Sequence, residues 1–310
     1  MSRRLGAVLA LLLGSWLAAA PAADSKAPFL WQIQGPKATH FLLGSVHLQP
    51  RSSPALPDAI VQAYSQAHGL VFESDLGALR SRSTQLEFAS RGRAGPGGLE
   101  GEIGTDQYAQ TRTELKKLGL QPGACDAMRA WWCGMTVELL QWKHAGFDGA
   151  QGIDERLYAG ALRDRKQIRW FEPPAEHLGL FTDMPAALSK QFLRSSLDDE
   201  NGALDSPQAL YRAWRTDDTA AIASLVTDMQ KRYPAVYERL LAARNRAWMP
   251  TLTALLDEPQ TQLIVVGAAH CVGPAGLVVA LRAKGYVVVP VTTLAPPQAA
   301  LLDTAEAPPS

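Results

Sequence analysis

The chain has no excess of either charge, with 30 Lys and Arg against 30 Asp and Glu in 310 residues. A nucleic-acid surface needs clustered Lys and Arg. None stands out, so no nucleic-acid partner is expected. Cysteine is scarce: Cys125, Cys133 and Cys271 are all there is, and an odd count leaves at least one thiol free. No P-loop, dinucleotide-binding glycine motif, serine elbow or HExxH is present. Those absences argue against nucleotide hydrolysis, nicotinamide or flavin chemistry, serine esterases and the common zinc proteases. Beyond the N-terminus no apolar run is long enough to cross a membrane, which takes about 20 residues as a helix. The apolar stretch 263–291 is broken by Arg282, Lys284 and several glycines and prolines.

What is present begins with a leader. Arg3 and Arg4 form a basic start, 5–17 is apolar, and Ala20-Pro21-Ala22 fits a small-residue cleavage site. This pattern is a secretory signal peptide, expected over 1–22. The paired arginines admit a twin-arginine signal, but the residues after them match it poorly. The expected location is therefore periplasmic or secreted, with no membrane span after cleavage. The remaining length is enough to bury a large core.

Along the chain, 29–34 and 39–46 read as strands about a turn at Gly35-Pro36. A helix starts at Pro57-Asp58, with Ile60, Val61 and Tyr64 at helical spacing, and Gly69 ends it. A short apolar strand over 70–72 then delivers Glu73. The polar segment 81–104 holds Gly92, Gly95, Gly97 and Gly98 and reads as a mobile loop, placed to act as a lid on the site. Helices are expected over 105–117, 126–145 and 152–164, and a strand over 168–171 ends at Glu172. In the second helix Met128, Trp131, Trp132, Met135 and Leu139 form a core stripe. If Cys125 and Cys133 shared a helix, they would stand about 12 Å apart from the rise per residue, beyond disulfide reach. A disulfide between them stays open on other geometry. From 175 to 257 the pattern is helical, with breaks near Pro185, Gly202, Pro207 and Pro234. Strand 263–266, helix 276–284 and strand 286–291 close the fold, and 295–310 is a tail without a core face.

Two copies of one short pattern carry the functional signal. Gly44-Ser45-Val46-His47 and Gly267-Ala268-Ala269-His270 each follow an apolar strand and precede a helix and a second strand. Ligands in open α/β sheets bind outside the carboxyl ends of strands. The fold class expected is α/β: a mixed β-sheet from two related strand-GxxH-helix-strand halves with a helical insertion at 175–257. A glycine three residues before the histidine lets the backbone turn sharply or approach another group closely. Two imidazoles with the carboxylate of Glu73 suit a divalent Mn, Co, Zn or Fe ion, with Glu73 as third ligand or as base. The same trio can work without metal as base, acid and orienter. Glu172 repeats the strand-end carboxylate. Arg244 either clamps a substrate or stabilises an oxyanion, or belongs with Arg246 to a solvated helix face. Cys271 reads as a small buried residue. His40, His68, His144 and His177 lack the glycine context and read as structural or exposed, and Asp75 ranks below Glu73.

Gly44-Ser45-Val46-His47 with Leu56-Pro57, Glu73, Gly152-Ile153-Asp154, Glu172, Arg244-Asn245, and Gly267-Ala268-Ala269-His270 with Gly273 and Gly276-Leu277 together resemble the TraB/GumN family. The resemblance covers a catalytic domain over 29–294. It implies kinship with Tiki proteases and, more distantly, with erythromycin esterases and ChaN-like haem-binding proteins. What it implies here is a metal-dependent hydrolase, a peptidase first, acting on a peptide or protein substrate. His47, His270 and Glu73 would be metal ligands; Glu73, Glu172 and Arg244 would be catalytic, and Asn245 substrate-binding. The alternative it raises is a protein that sequesters haem or a peptide in the same cleft.

Overall fold

The computed structural model describes residues 29–52, 55–197 and 206–291. The expected signal peptide, the break near Gly202 and the expected tail lie outside them. Apolar runs become strands where both faces are covered. The strands are β1 (Leu30–Gln34), β2 (Thr39–Ser45), β3 (Gln49–Pro50), β4 (Gly69–Phe72), β5 (Phe147–Asp148), β6 (Gln167–Trp170), β7 (Gln262–Gly267) and β8 (Val287–Pro290). All residues of β4 and β7 are buried, as expected of parallel strands with both faces covered.

The helices are α1 (Asp58–Gln66), α2 (Leu76–Leu79), α3 (Arg82–Arg91), α4 (Gly98–Ile103), α5 (Thr105–Lys117), α6 (Ala130–His144), α7 (Ile153–Arg163) and α8 (Pro174–Thr182). They continue with α9 (Ala186–Ser196), α10 (Pro207–Arg215), α11 (Thr219–Arg232), α12 (Pro234–Tyr237), α13 (Ala243–Leu256), α14 (Ala268–Cys271) and α15 (Leu277–Ala283). A π-helical turn, Glu238–Ala242, joins α12 to α13.

Six strands form one mixed sheet in the order β6-β4-β7-β2-β1-β8. β6, β4, β7 and β2 pair in parallel, and β1 runs antiparallel to both β2 and β8. Each half runs strand, helix, strand as expected, and each crosses over, β2 to β4 past β7, and β7 to β8 past β2 and β1. Register aligns the carboxyl ends: Ser45 faces Gly267, Phe72 faces Val265, and Trp170 faces Phe72. The residues that leave those ends, His47, Glu73, Glu172 and Gly267–His270, therefore emerge along one edge. The main core lies on this sheet, under the apolar faces of α1, α7, α13 and α15.

Two features correct the sequence reading. Segment 81–104 is not a mobile loop, because it folds as α3 and α4. Ser81 caps α3 by accepting from the Thr84 amide, and Phe88, Leu99 and Ile103 are buried. Its glycines serve the turn between the helices, where Gly97 and Gly98 take φ of 91° and 61°, a backbone shape only glycine adopts cheaply. Three buried anchors hold the segment, so the lid expectation falls with the loop. Cys125 and Cys133 also do not share a helix. α6 starts at Ala130, the chain doubles back before it, and a disulfide joins the two with Cα atoms 5.6 Å apart. Of the expected core stripe on α6, Trp131 is fully buried while Leu139 is exposed.

Gly44 shows what close strand packing requires. A β-carbon there would lie 3.0 Å from Ala268 Cα and 3.2 Å from Phe29 Cβ. Gly44→Ala is expected to lower unfolding stability by about 1–3 kcal/mol, the usual cost of overpacking, measured by urea denaturation. A loss below 0.5 kcal/mol (an ordinary surface value, roughly) would contradict this packing.

Candidate active site

Four strand ends supply the site. β2 ends at Ser45 and His47 follows two residues on. β4 ends at Phe72 and hands over directly to Glu73. The backbone N–H of Glu172, beyond β6, donates to the Glu73 carbonyl at 3.0 Å, extending the parallel ladder past both strands. After β7, Gly267 opens the short α14 that carries His270.

Gly267 is where these groups converge. Its φ of −57° is ordinary, so backbone freedom does not call for glycine, and what its missing side chain leaves is room among the neighbouring groups. A β-carbon there would lie 3.4 Å from Glu73 Oε1, 3.6 Å from His47 Nε2 and 3.6 Å from His270 Cδ2. The two imidazoles of the repeated motif are thus within about 7 Å of each other. The Gly267 amide donates to Glu73 Oε1 at 2.7 Å. The space a side chain would fill is bordered by two histidines and a carboxylate.

Arg244 binds the centre together. A guanidinium has five N–H donors and no acceptor, and here all five are committed. Nε and Nη2 donate to the two oxygens of Glu172 at 3.2 and 2.5 Å. Nη2 also donates to Glu73 Oε2 at 2.6 Å, and Nη1 to Leu240 O at 3.2 Å and His270 Nε2 at 3.0 Å. Trp248, one turn along α13, lies under the guanidinium at 4.6 Å and donates its indole N–H to Glu172 Oε2 at 3.2 Å. Arg244 is 9% exposed, so a substrate clamp would have to take over bonds already made. The solvated-face reading of Arg244 is overturned; Arg246 alone fits it, paired with Glu238 on the surface.

Partners fix the histidine protonation. The Asn245 amide donates to the carbonyls of His270 and Ala275 at 3.1 and 2.8 Å, which turns its Oδ1 toward His270 Nδ1 at 2.6 Å. His270 Nδ1 must then carry the proton, and Nε2 accepts from Arg244. Burial, together with the nearby Arg244 charge, pulls His270 down to about 4 despite Glu73 and Glu172, so it is neutral. His47 is the opposite case. The Asp154 carboxylate, 3.2 Å from its Nδ1, lifts it to about 9, although the His47 side chain is largely exposed. Burial alone would raise Glu73, but the Arg244 charge, with His47 behind it, outweighs burial and holds the carboxyl well below the usual range. Glu172 is also lowered, with burial opposed by His177 and Arg244.

The expected residues therefore divide. His47, Glu73 and His270 meet at Gly267. Glu172 is a buried brace with four bonds, two of them to Arg244. Asn245, expected to bind substrate, is 3% exposed and uses both ends of its amide inside the protein, so it orients His270 instead. Two participants went unassigned in the sequence. His177 donates from Nδ1 to Glu172 Oε1 at 2.6 Å. The signal was Pro173-Pro174: proline starts α8 immediately after Glu172, so a residue one turn into the helix returns to it. Asp154 was noted as a landmark without a role, and it holds His47. Asp75 caps α2, accepting from the Gly77 and Ala78 amides.

The donors at Gly267 suit a divalent ion in kind, since imidazole and carboxylate serve Mn, Co, Zn and Fe. The cradle supplies the space. The Asp154–His47 pair has the form of a carboxylate that orients a metal-binding histidine. Among the described residues, the group whose ligand atoms all lie within 4.8 Å of one another is Glu73, Glu172 and His177, and Arg244 N–H groups occupy both carboxylates there. The Gly267 set is wider, and Arg244 is bonded to its Glu73 and His270 as well.

The fold is a mixed α/β sheet protein, and the chain belongs to the TraB/PrgY/gumN family, whose model matches residues 29–290. It is 22% identical over 248 residues to the uncharacterized protein YbaP of Escherichia coli (strain K12), covering 80% of this chain and 89% of the relative. A second YbaP, from Shigella flexneri, is 22% identical over 250 residues, with 81% and 90% covered. No solved structure matches the chain.

The two histidines should be distinguishable in long-range ¹H–¹⁵N spectra of the metal-free protein. At pH 7 His47 is expected to carry both protons, losing one near pH 9, and His270 to be neutral with its proton on Nδ1. A neutral His47 at pH 7, or a His270 proton on Nε2, would contradict the assigned network.

Proposed function

We propose that this chain is a periplasmic metal-dependent hydrolase that cleaves peptide bonds. The observation that carries the reading is the convergence of both GxxH histidines and Glu73 on the space left by Gly267. The Cys125–Cys133 disulfide supports the location, because such bonds persist in oxidising compartments.

His47, His270 and Glu73 would hold the ion. Bound there, a divalent ion supplies Lewis acidity, polarising a carbonyl and acidifying water. The chain's own groups set the conditions. Glu73 is a weak base, because Arg244 and Gly267 stabilise its charge, so it serves as ligand rather than proton acceptor. Asp154 aims His47 but also stabilises its proton, which ligation must displace. Arg244 adds positive charge beside the site, and ligation by His270 would take the place of its Nη1 hydrogen bond. His177 borders the cavity with Nδ1 held by Glu172. Its Nε2 is the nitrogen placed to carry a proton between substrate and solvent. Haem sequestration finds less support, since the cavity beside His47 is about 200 Å³, below the ~300–1,000 Å³ of ordinary small-molecule sites.

The sign of the pH dependence follows from His47. Below pH 9 its imidazolium repels a cation, so metal affinity should rise by up to about tenfold per pH unit between 7 and 9. Elemental analysis and digestion of a peptide library test the rest. His47→Ala, His270→Ala and Glu73→Gln are expected to lose bound metal and at least about 100-fold in turnover. Gly267→Ala should do the same without loss of stability, since its new β-carbon meets neighbours only at 3.4 Å and beyond. Equal metal content and equal turnover across the set would sink the proposal.

A further inference from the structure

The cavity beside Glu73 has one wall that the proposed chemistry leaves unexplained. Leu76 and Leu79 of α2 border it, together with Phe72 and Val265. A helix of four residues has little stability of its own, yet this one is held from several sides. Asp75 Oδ1 accepts from the Gly77 and Ala78 amides at 2.9 and 3.1 Å. The Tyr158 hydroxyl, on α7, donates to Asp75 at 3.3 Å and accepts from Gly77 N at 3.1 Å. Arg80 pairs with Glu155 and lies over the Tyr158 ring at 5.1 Å. A β-carbon on Gly77 would stand 2.5 Å from the Tyr158 oxygen, so only glycine lets α2 dock this closely. The two leucines are thereby fixed as a wall.

Size and charge narrow the occupant. The cavity measures about 200 Å³. An apolar cavity of about 150 Å³ holds a benzene molecule, so one aliphatic or aromatic side chain fits. Against a cationic side chain, Arg244 and His47 already place positive charge beside Glu73 and Asp154. The same walls include two buried serine hydroxyls, Ser45 and Ser74, which have no partner among the described residues. A buried hydroxyl left unbonded is unfavourable, and a peptide amide brings both a donor and an acceptor.

We propose that this cavity is a specificity pocket for a single apolar side chain of the peptide substrate, with Ser45 and Ser74 left to bond the amide beside it. The proposal rests on the peptidase reading for its setting and is tested by binding alone. N-acetyl-leucinamide and N-acetyl-glycinamide are titrated into the purified protein by calorimetry. The leucine compound is expected to bind about tenfold or more tightly, from burial of its side chain. Leu79→Trp, which fills the pocket, should abolish that preference with bound metal unchanged; Leu76→Phe provides an independent filling. Ser74→Ala should weaken both compounds. Equal affinity for the two compounds in the wild type, or a preference that survives both fillings, would overturn the pocket. A clear leucine preference with no peptide cleaved would leave the pocket standing and defeat the hydrolase reading. Cleavage without side-chain preference would do the reverse.

Discussion

The guanidinium of Arg244 commits its five N–H groups to two carboxylates, one imidazole and one carbonyl, and in doing so ties together the ends of β4, β6 and β7. Glu73 and Glu172 are adjacent, largely buried and both ionised, an arrangement that like charges oppose without a cation between them. Removing one partner of such a buried network costs roughly 3–5 kcal/mol. Lysine could not substitute, since it offers a point charge in place of a fork that reaches both carboxylates and the histidine. The surrounding parts serve this contact. Trp248 lies under the guanidinium and Phe171 stacks on Trp248, 5.2 Å between ring centres.

Around that fixed centre the repeated motif gives two unlike histidines. Both follow a strand-ending glycine, yet the two glycines answer different demands. Gly44 lets β2 pack against α14 and Phe29, while Gly267 opens the space into which the side chains point. The second partners differ as well. An aspartate keeps His47 protonated, while burial and the Arg244 charge keep His270 neutral and an asparagine, held by two carbonyls, fixes its proton on Nδ1. Two imidazoles from one motif thus carry opposite charge states. That asymmetry is what an acid–base or metal site needs, because identical environments would protonate together.

Much of this was legible in the sequence wherever the signal was local. Apolar runs ending in glycine or glutamate located β2, β4, β6 and β7, and parallel register alone then aligned His47, Glu73, Glu172 and His270 on one edge. The failures came where distant residues decide. Segment 81–104 looked loose because its glycines are visible in sequence, whereas the packing of Leu99 and Ile103 against Leu115 and Leu193 is not. The Cys125–Cys133 bond depended on where α6 begins, a boundary that no residue marks strongly. Asn245 was assigned to substrate because an exposed and an internally satisfied amide look alike in sequence. His177 was set aside for lacking glycine, though the prolines before it already determine its return to Glu172.

The central claim is that both GxxH histidines serve one metal centre at Gly267. Anomalous diffraction from crystals soaked in cobalt tests it most directly. The account predicts one peak within coordination distance, about 2.0–2.2 Å, of His47 Nε2 and a Glu73 oxygen, with His270 turned from Arg244 to the ion. A peak confined to Glu172 and His177, or no peak in the cleft at millimolar cobalt, would contradict it.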